Sequence, residues 1–112
     1  MNLIDQLERD EGFRAKPYQC TSGVWTIGHG FTYLTLEESR AVLNIRVNKL
    51  RSELNSSIKY LSPARQDVLL NMAYNLGVGG LFRFKFMWNA IYRKDFNRAA
   101  EEMLNSRWAK QV

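Results

Sequence analysis

Between Asp10 and Phe31 the chain reads DEGFRAKPYQCTSGVWTIGHGF, and four side chains in that span are capable of chemistry. Glu11 is an acid, Thr26 a hydroxyl between Trp25 and Ile27, and Cys20 and His29 are the chain's single cysteine and single histidine. A carboxyl group withdrawn from water has its charged form disfavoured. An acid that keeps its proton near neutral pH can then donate it. The plainer reading of Glu11 is a surface acid near a helix end. Cys20 is open to three readings: a nucleophile, a base as its thiolate, or a small buried hydrophobe. Cys20 and His29 could pair as in thiol hydrolases, although no third residue in the sequence is placed to orient the histidine. Thr26 is either an ordinary β-branched strand residue or a hydroxyl held rigidly enough to position a water.

Any joint use of these groups requires elements that bring them together. Leu3, Leu7 and Glu11 are spaced four apart with Ile4 beside them, which predicts a short helix over 3–11 with Glu11 at the end of its apolar stripe. Gly12 then stops the helix. From Phe13 to Thr32 the pattern turns β-rich: PYQC and VWTIG flank the turn signal TSG, predicting a small hairpin or short sheet. TLEE at 35–38 is a capping box. The apolar positions Leu36, Leu43, Val47, Leu50, Leu54, Ile58 and Leu61 predict a long helix from there to about Ser56. Ser62 and Pro63 open a further helix that is expected to carry Val68, Leu69, Met72 and Leu76 inward and to end at Gly77, with GVGG as a loop. Residues 81–92, LFRFKFMWNAIY, suit a buried helix or a turn followed by one. Asp95 is placed to cap a helix over Phe96 to Asn105, and NSRWAKQV could begin another.

Composition bounds the rest. A chain of 112 residues with 46% hydrophobic and 12% aromatic residues carries enough apolar surface for one folded domain. A net charge of +5 favours anionic partners such as nucleic acid, a membrane surface or acidic cell-wall polymer. No arginine-rich or aromatic-interleaved reading face is present, so no nucleic-acid partner is expected. One cysteine excludes an internal disulfide and a cysteine-rich zinc site, and neither a metal nor a cofactor is expected. MNLIDQLERDEG lacks the cationic start and apolar run of a secretory signal. No apolar run approaches the roughly 20 residues needed to span a bilayer, so the chain is not expected to be an integral membrane protein.

The arrangement E-G-x5-Y-x-C-x2-G-x2-T-I-G-x-G, from Glu11 to Gly30, resembles the phage lysozymes of the T4 type. In that family a helix ends in Glu-Gly, and a hairpin then presents an acid and a threonine nine and a further six residues on. Glu11, Cys20 and Thr26 keep those intervals. LLNMAYNLGVGGL (69–81) and AAEEMLNSRWAKQV (99–112) look like two further family segments in the family's order. The resemblance implies an α+β, mostly α, fold: residues 1–34 form a small catalytic lobe with the hairpin, 35–61 a connecting helix and loop, and 62–112 a helical lobe. It also implies a substrate, bacterial peptidoglycan, bound between the lobes. The implied activity is hydrolysis of the β-1,4 bond between N-acetylmuramic acid and N-acetylglucosamine, with Glu11 as the general acid. The protein would be made in the host cytoplasm and reach the wall by a holin-type route.

Two departures from the family pattern bear on that reading. The family usually has Asp where Cys20 stands. A thiol is mostly neutral at pH 7 unless its surroundings lower its pKa, and the cations Arg14 and Lys16 are candidates for doing so. The thiolate could replace the carboxylate, a neutral thiol could leave a slow enzyme, or the site could be dead and the protein a wall-binding or virion structural protein. The family also commonly has His where Phe31 stands, while His29 fills a variable slot, so His29 is expected to pack or meet solvent. By resemblance Thr32, Tyr74, Asn75 and Glu102 are substrate-binding candidates, with core packing the alternative for Tyr74 and Asn the commoner family residue at Glu102. Relatives continue with one or two more helices. A monomer is expected, and the further helices of relatives give the alternative, a partner chain completing the helical lobe.

Overall fold

A computed structural model describes residues 2–105, so the final segment expected to begin another helix lies outside the described residues from 106 onward. The architecture is α+β and mostly helical. Its elements are α1 (Leu3–Glu11), β1 (Arg14–Gln19), β2 (Trp25–Gly28), α2 (Leu36–Ile58), α3 (Pro63–Phe82), α4 (Lys85–Tyr92) and α5 (Phe96–Leu104). They fall into two compact units, residues 1–41 and residues 42 onward, with α2 beginning in the first and continuing through the second.

In the first unit, the Asn2 side chain caps α1 by accepting from the Asp5 N–H at 2.8 Å. Gly12 ends it at φ +68°, its N–H donating to the Glu8 carbonyl at 2.9 Å. β1 and β2 pair antiparallel with Tyr18 opposite Thr26 and Gln19 opposite Trp25. The register is irregular between Arg14 and Tyr18, the stretch holding Pro17, which has no N–H to give the ladder. A second tight turn follows β2. Ile27 and Phe31 exchange both backbone hydrogen bonds at 2.9 Å across Gly28-His29-Gly30, whose glycines sit at φ +69° and +82°.

The capping box holds: Thr35 N–H donates to Glu38 Oε1 at 2.9 Å and Glu38 N–H to Thr35 Oγ1 at 3.1 Å. α2 then runs two residues past Ser56 to Ile58. Its expected apolar face is buried only toward its end, at Leu54 and Ile58, while Leu36 and Leu43 are exposed. Burial here follows the location of the core, which forms in the second unit from Leu54, Ile58, Leu69, Leu70, Met72, Ala73, Leu81, Met87, Trp88, Ala90, Ile91 and Ala99. Each large aliphatic side chain in it contributes about 1.5–3 kcal/mol by leaving water.

Two expectations about this unit are revised. Val68 is 42% exposed; its neighbours Leu69 and Leu70 take the inward face. Gly77 does break α3, at φ +77° and ψ 163°, but GVGG is not a loop: the helix resumes beyond the kink and runs to Phe82. The segment rich in aromatics resolves into the end of α3 and α4, fixed by Trp88, whose Nε1–H donates to the buried Leu81 carbonyl at 3.0 Å. Asp95 caps α5 as read, accepting from the Arg98 N–H at 3.1 Å.

Among the described residues of the first unit no apolar side chain is buried; the one buried residue is Thr26, 6% exposed. That unit is held by turn and hairpin hydrogen bonds, and these position its chemistry.

Candidate functional site

Cys20 lies at the start of the hairpin turn, half-buried. Its N–H donates to the Val24 carbonyl at 3.0 Å, and its carbonyl accepts from the Gly23 N–H at 2.8 Å. Gly23 closes this turn at φ +84°, a conformation glycine adopts without strain. The turn folds Ser22 back so that its Oγ lies 2.9 Å from the Cys20 Sγ. Hydrogen bonds lower the Cys20 thiol below its ordinary value: first the Ser22 side chain, then the Ser22 and Val24 backbone, with the Thr26 hydroxyl adding a smaller contribution. Donors around a thiolate favour the charged form. The cause is therefore the turn, and not the cations proposed from sequence; the Arg14 guanidinium instead lies over the Tyr18 ring, 5.1 Å from its centroid.

Thr26 points inward from β2, and its hydroxyl donates to the Val24 carbonyl at 3.2 Å. Cys20 and Thr26 thus lie near one end of the hairpin, Cys20 opposite Val24 and Thr26 opposite Tyr18. His29 takes no part there: its ring lies against Phe13 (centroids 5.4 Å apart) and edge-on to Phe31 (6.5 Å), which is packing and gives the Cys–His pairing no support. Thr32 is exposed and lines an apolar recess with Thr26, Trp25, Phe31 and Tyr33.

Glu11 ends α1 and lines a recess of about 330 Å3 with Ile4, Leu7, Glu8, His29 and Phe31. The shelter expected for this carboxyl is not supplied by its own unit, where Glu11 is exposed, because Leu3, Ile4 and Leu7 of α1 are exposed as well. Its position is nevertheless constrained. A Cβ placed on Gly30 would stand 2.7 Å from Glu11 Oε2 and 3.3 Å from its Cδ, so the carboxylate rests against bare backbone of the turn after β2.

In the second unit Tyr74 is 45% exposed, so core packing does not describe it. It lines a recess of about 640 Å3 with Arg46, Lys49, Leu50, Glu53, Gly77 and other α3 residues. Asn75 is exposed and tied to its own helix, its Nδ2 donating to the Asn71 carbonyl at 2.9 Å and to Asn71 Oδ1 at 3.2 Å. Glu102 forms an ion pair with Arg98 at 2.9 Å one helical turn earlier and borders a recess with Phe84, Phe86 and Asn105. No group of three or more potential metal ligands occurs among the described residues.

The profile of the phage lysozyme family matches residues 8–112. The chain belongs to the phage lysozyme family. It is 29% identical to a protein named Endolysin from Acyrthosiphon pisum secondary endosymbiont phage 1, over 93% of this chain and 75% of that one. It is 26% identical to the pre-baseplate central spike protein Gp5 of Enterobacteria phage T4, over the whole chain but only 26% of the spike protein. It is 25% identical to the probable T4-type lysozyme 1 of Dictyostelium discoideum, over 99% of this chain and 86% of that one. The last two alignments run over 147 positions against 112 residues here, so those relatives carry segments this lysozyme lacks.

Membership makes the chain a lysozyme-type glycoside hydrolase acting on peptidoglycan. In this lysozyme the close approach of Glu11 to Gly30 offers a test of whether that carboxyl takes part in turnover. Gly30→Ala would place a side chain at φ +82° against the carboxylate. The left-handed conformation costs roughly 1–2 kcal/mol, and the flexible carboxyl, being the part that can yield, moves. A misplacement near 1 Å can cost about 10²-fold in rate. Peptidoglycan turnover by Gly30→Ala is therefore expected to fall by about one to two orders of magnitude while thermal unfolding shifts by roughly 5–10 °C; turnover at the native rate would show that the carboxyl position does not matter.

Sequence reading missed one residue, Ser22. Its signal was present, since a serine two residues after the reactive group in a TSG turn is placed for a side-chain hydrogen bond back into that turn.

Proposed function

We propose that this lysozyme hydrolyses the β-1,4 bond between N-acetylmuramic acid and N-acetylglucosamine, with Glu11 protonating the leaving glycosidic oxygen. Cys20, as its thiolate, takes the part of the second carboxylate by drawing a proton from the attacking water, and Thr26 holds that water. The two-group requirement of glycoside hydrolysis supports this division. The observation that carries it is the hairpin end itself, where the register sets Cys20 opposite Val24 and Thr26 opposite Tyr18 and the turn puts the Ser22 hydroxyl 2.9 Å from the Cys20 sulfur, an arrangement that favours the thiolate.

The exposure of Glu11 assigns part of the work to the substrate. A sugar laid on the recess beside Phe31 and Ile4 takes water away from the carboxyl, the condition under which a carboxylic acid donates efficiently. Thr32 is proposed to line the same path, and Tyr74, Asn75 and Glu102 to contact the glycan from the helical part of the chain.

The biological setting we infer is host lysis, with synthesis in the host cytoplasm and passage to the wall by a holin-type route. Similarity to a protein named Endolysin over 75% of its length supports this setting. Among the described residues no helix is long and apolar enough to cross a membrane. A second setting, action during infection as part of the virion, draws on the similarity to the spike protein, of which this chain spans 26%; finding the chain in purified particles would favour it.

Purified peptidoglycan digested with the protein tests the chemistry. New reducing ends without new amines are expected. Release of amines would assign the activity to the peptide stems, and co-sedimentation with neither product would leave only wall binding.

A further inference from the structure

The proposed reaction gives a chemical role to Cys20 and Thr26 but leaves open how a sulfur is held where the family has a carboxylate. A cysteine side chain has a single rotatable bond to its sulfur and one accepting atom, whereas a carboxylate has two oxygens. Whatever fixes the sulfur must therefore do so at that one atom. The Thr26 hydroxyl is poorly placed to serve it alone. Its one proton is directed mainly to the Val24 carbonyl at 3.2 Å, and its effect on the thiol is the smallest of the hydrogen bonds there. The Ser22 hydroxyl, 2.9 Å from the sulfur, is exposed and is the side chain best placed to donate to it. Gly23, at φ +84° with nothing near a built Cβ, supplies the bend that brings it back.

We propose that Ser22 is a positioning residue for hydrolysis: its hydroxyl donates to the Cys20 sulfur and fixes it beside Thr26. Two neighbouring hydroxyls thereby divide the work. Ser22 serves the sulfur, and Thr26, anchored by its donation to Val24, keeps its lone pairs for the water. The inference rests on the reading of Cys20 as the second catalytic group. The lowered thiol value, for which Ser22 is the largest cause, is consistent with the geometry.

The test follows the thiolate by its ultraviolet absorbance as pH is raised and, in parallel, kcat and KM on soluble peptidoglycan fragments, in the native chain, Ser22→Ala and Ser22→Thr. In Ser22→Ala the thiolate midpoint is expected to rise, the acid limb of kcat to rise with it, kcat at neutral pH to fall about tenfold (the scale of one hydrogen bond to a charged group), and KM to stay unchanged. Ser22→Thr, which keeps the hydroxyl, should restore all three. An unmoved thiolate midpoint in Ser22→Ala overturns the proposal while leaving Cys20 as a catalytic group, which Cys20→Ala tests separately. A midpoint that moves while the kcat profile stays still overturns it for the other reason, that the sulfur takes no part in catalysis.

Discussion

Replacing Glu11 with Gln is expected to slow glycan cleavage by about 10²–10⁴-fold, the usual contribution of a positioned proton donor. The substitution keeps the shape of the side chain and its ability to lie against Gly30, and it removes the proton that must reach the departing oxygen. Little else should change. Glu11 ends a helix with no buried residue, and exposed substitutions usually alter stability by less than about 0.5 kcal/mol. Unfolding temperature and sedimentation with peptidoglycan should therefore match the native protein. A variant that folds, binds and cleaves at the native rate would remove Glu11 from the mechanism.

A loss of similar size is expected at position 20. Cys20→Ala and Cys20→Ser both remove the ionisable sulfur, and each should reduce kcat by about two orders of magnitude or more. Cys20→Asp restores the family's usual residue and should retain activity. The pH dependence separates these cases. The thiol is shifted downward by the turn, so the active thiolate accumulates as pH rises through a value below that of an ordinary thiol. Activity is lost as pH falls through that same value. In Cys20→Asp the group is a carboxyl, which ordinarily ionises several pH units below a thiol, so the acid limb should move to lower pH and activity should persist where the native protein has lost it. Measuring kcat against pH for both proteins checks this. Identical acid limbs would mean that the side chain at 20 does not set the protonation requirement, and full activity in Cys20→Ala would exclude a role for the sulfur.

Much of this was legible in the residues because local rules governed it. The Thr35, Ser62 and Asp95 caps, Gly12 at the end of α1 and the TSG turn each act within four residues of chain. The spacing of Glu11, Cys20 and Thr26 pointed to a site, and the hairpin register sets Thr26 opposite Tyr18, two residues before Cys20. Of what failed, part depended on longer-range packing and part on local backbone geometry that composition hides. The apolar stripe of α1 predicted a sheltered Glu11, but spacing shows which side is apolar and not what covers it. Val68 followed the helical period yet remained exposed, because Leu69 and Leu70 took the core. The helix beyond Gly77 was hidden because glycines at 79 and 80 read as loop, although a backbone already turned by Gly77 can resume helical geometry. The thiol's surroundings were assigned to Arg14 or Lys16 by charge, whereas the hydrogen bonds of the turn govern it.

The central claim is that water, with a proton delivered from Glu11, cuts the glycan. Digesting purified peptidoglycan in water enriched in heavy oxygen and locating the label by mass spectrometry tests it directly. Label on the anomeric carbon of newly released N-acetylmuramic acid, absent when Gln stands at position 11, is the predicted result. Label on the carboxyl groups of the stem peptides, or the same glycan labelling with Gln at 11, would contradict the account.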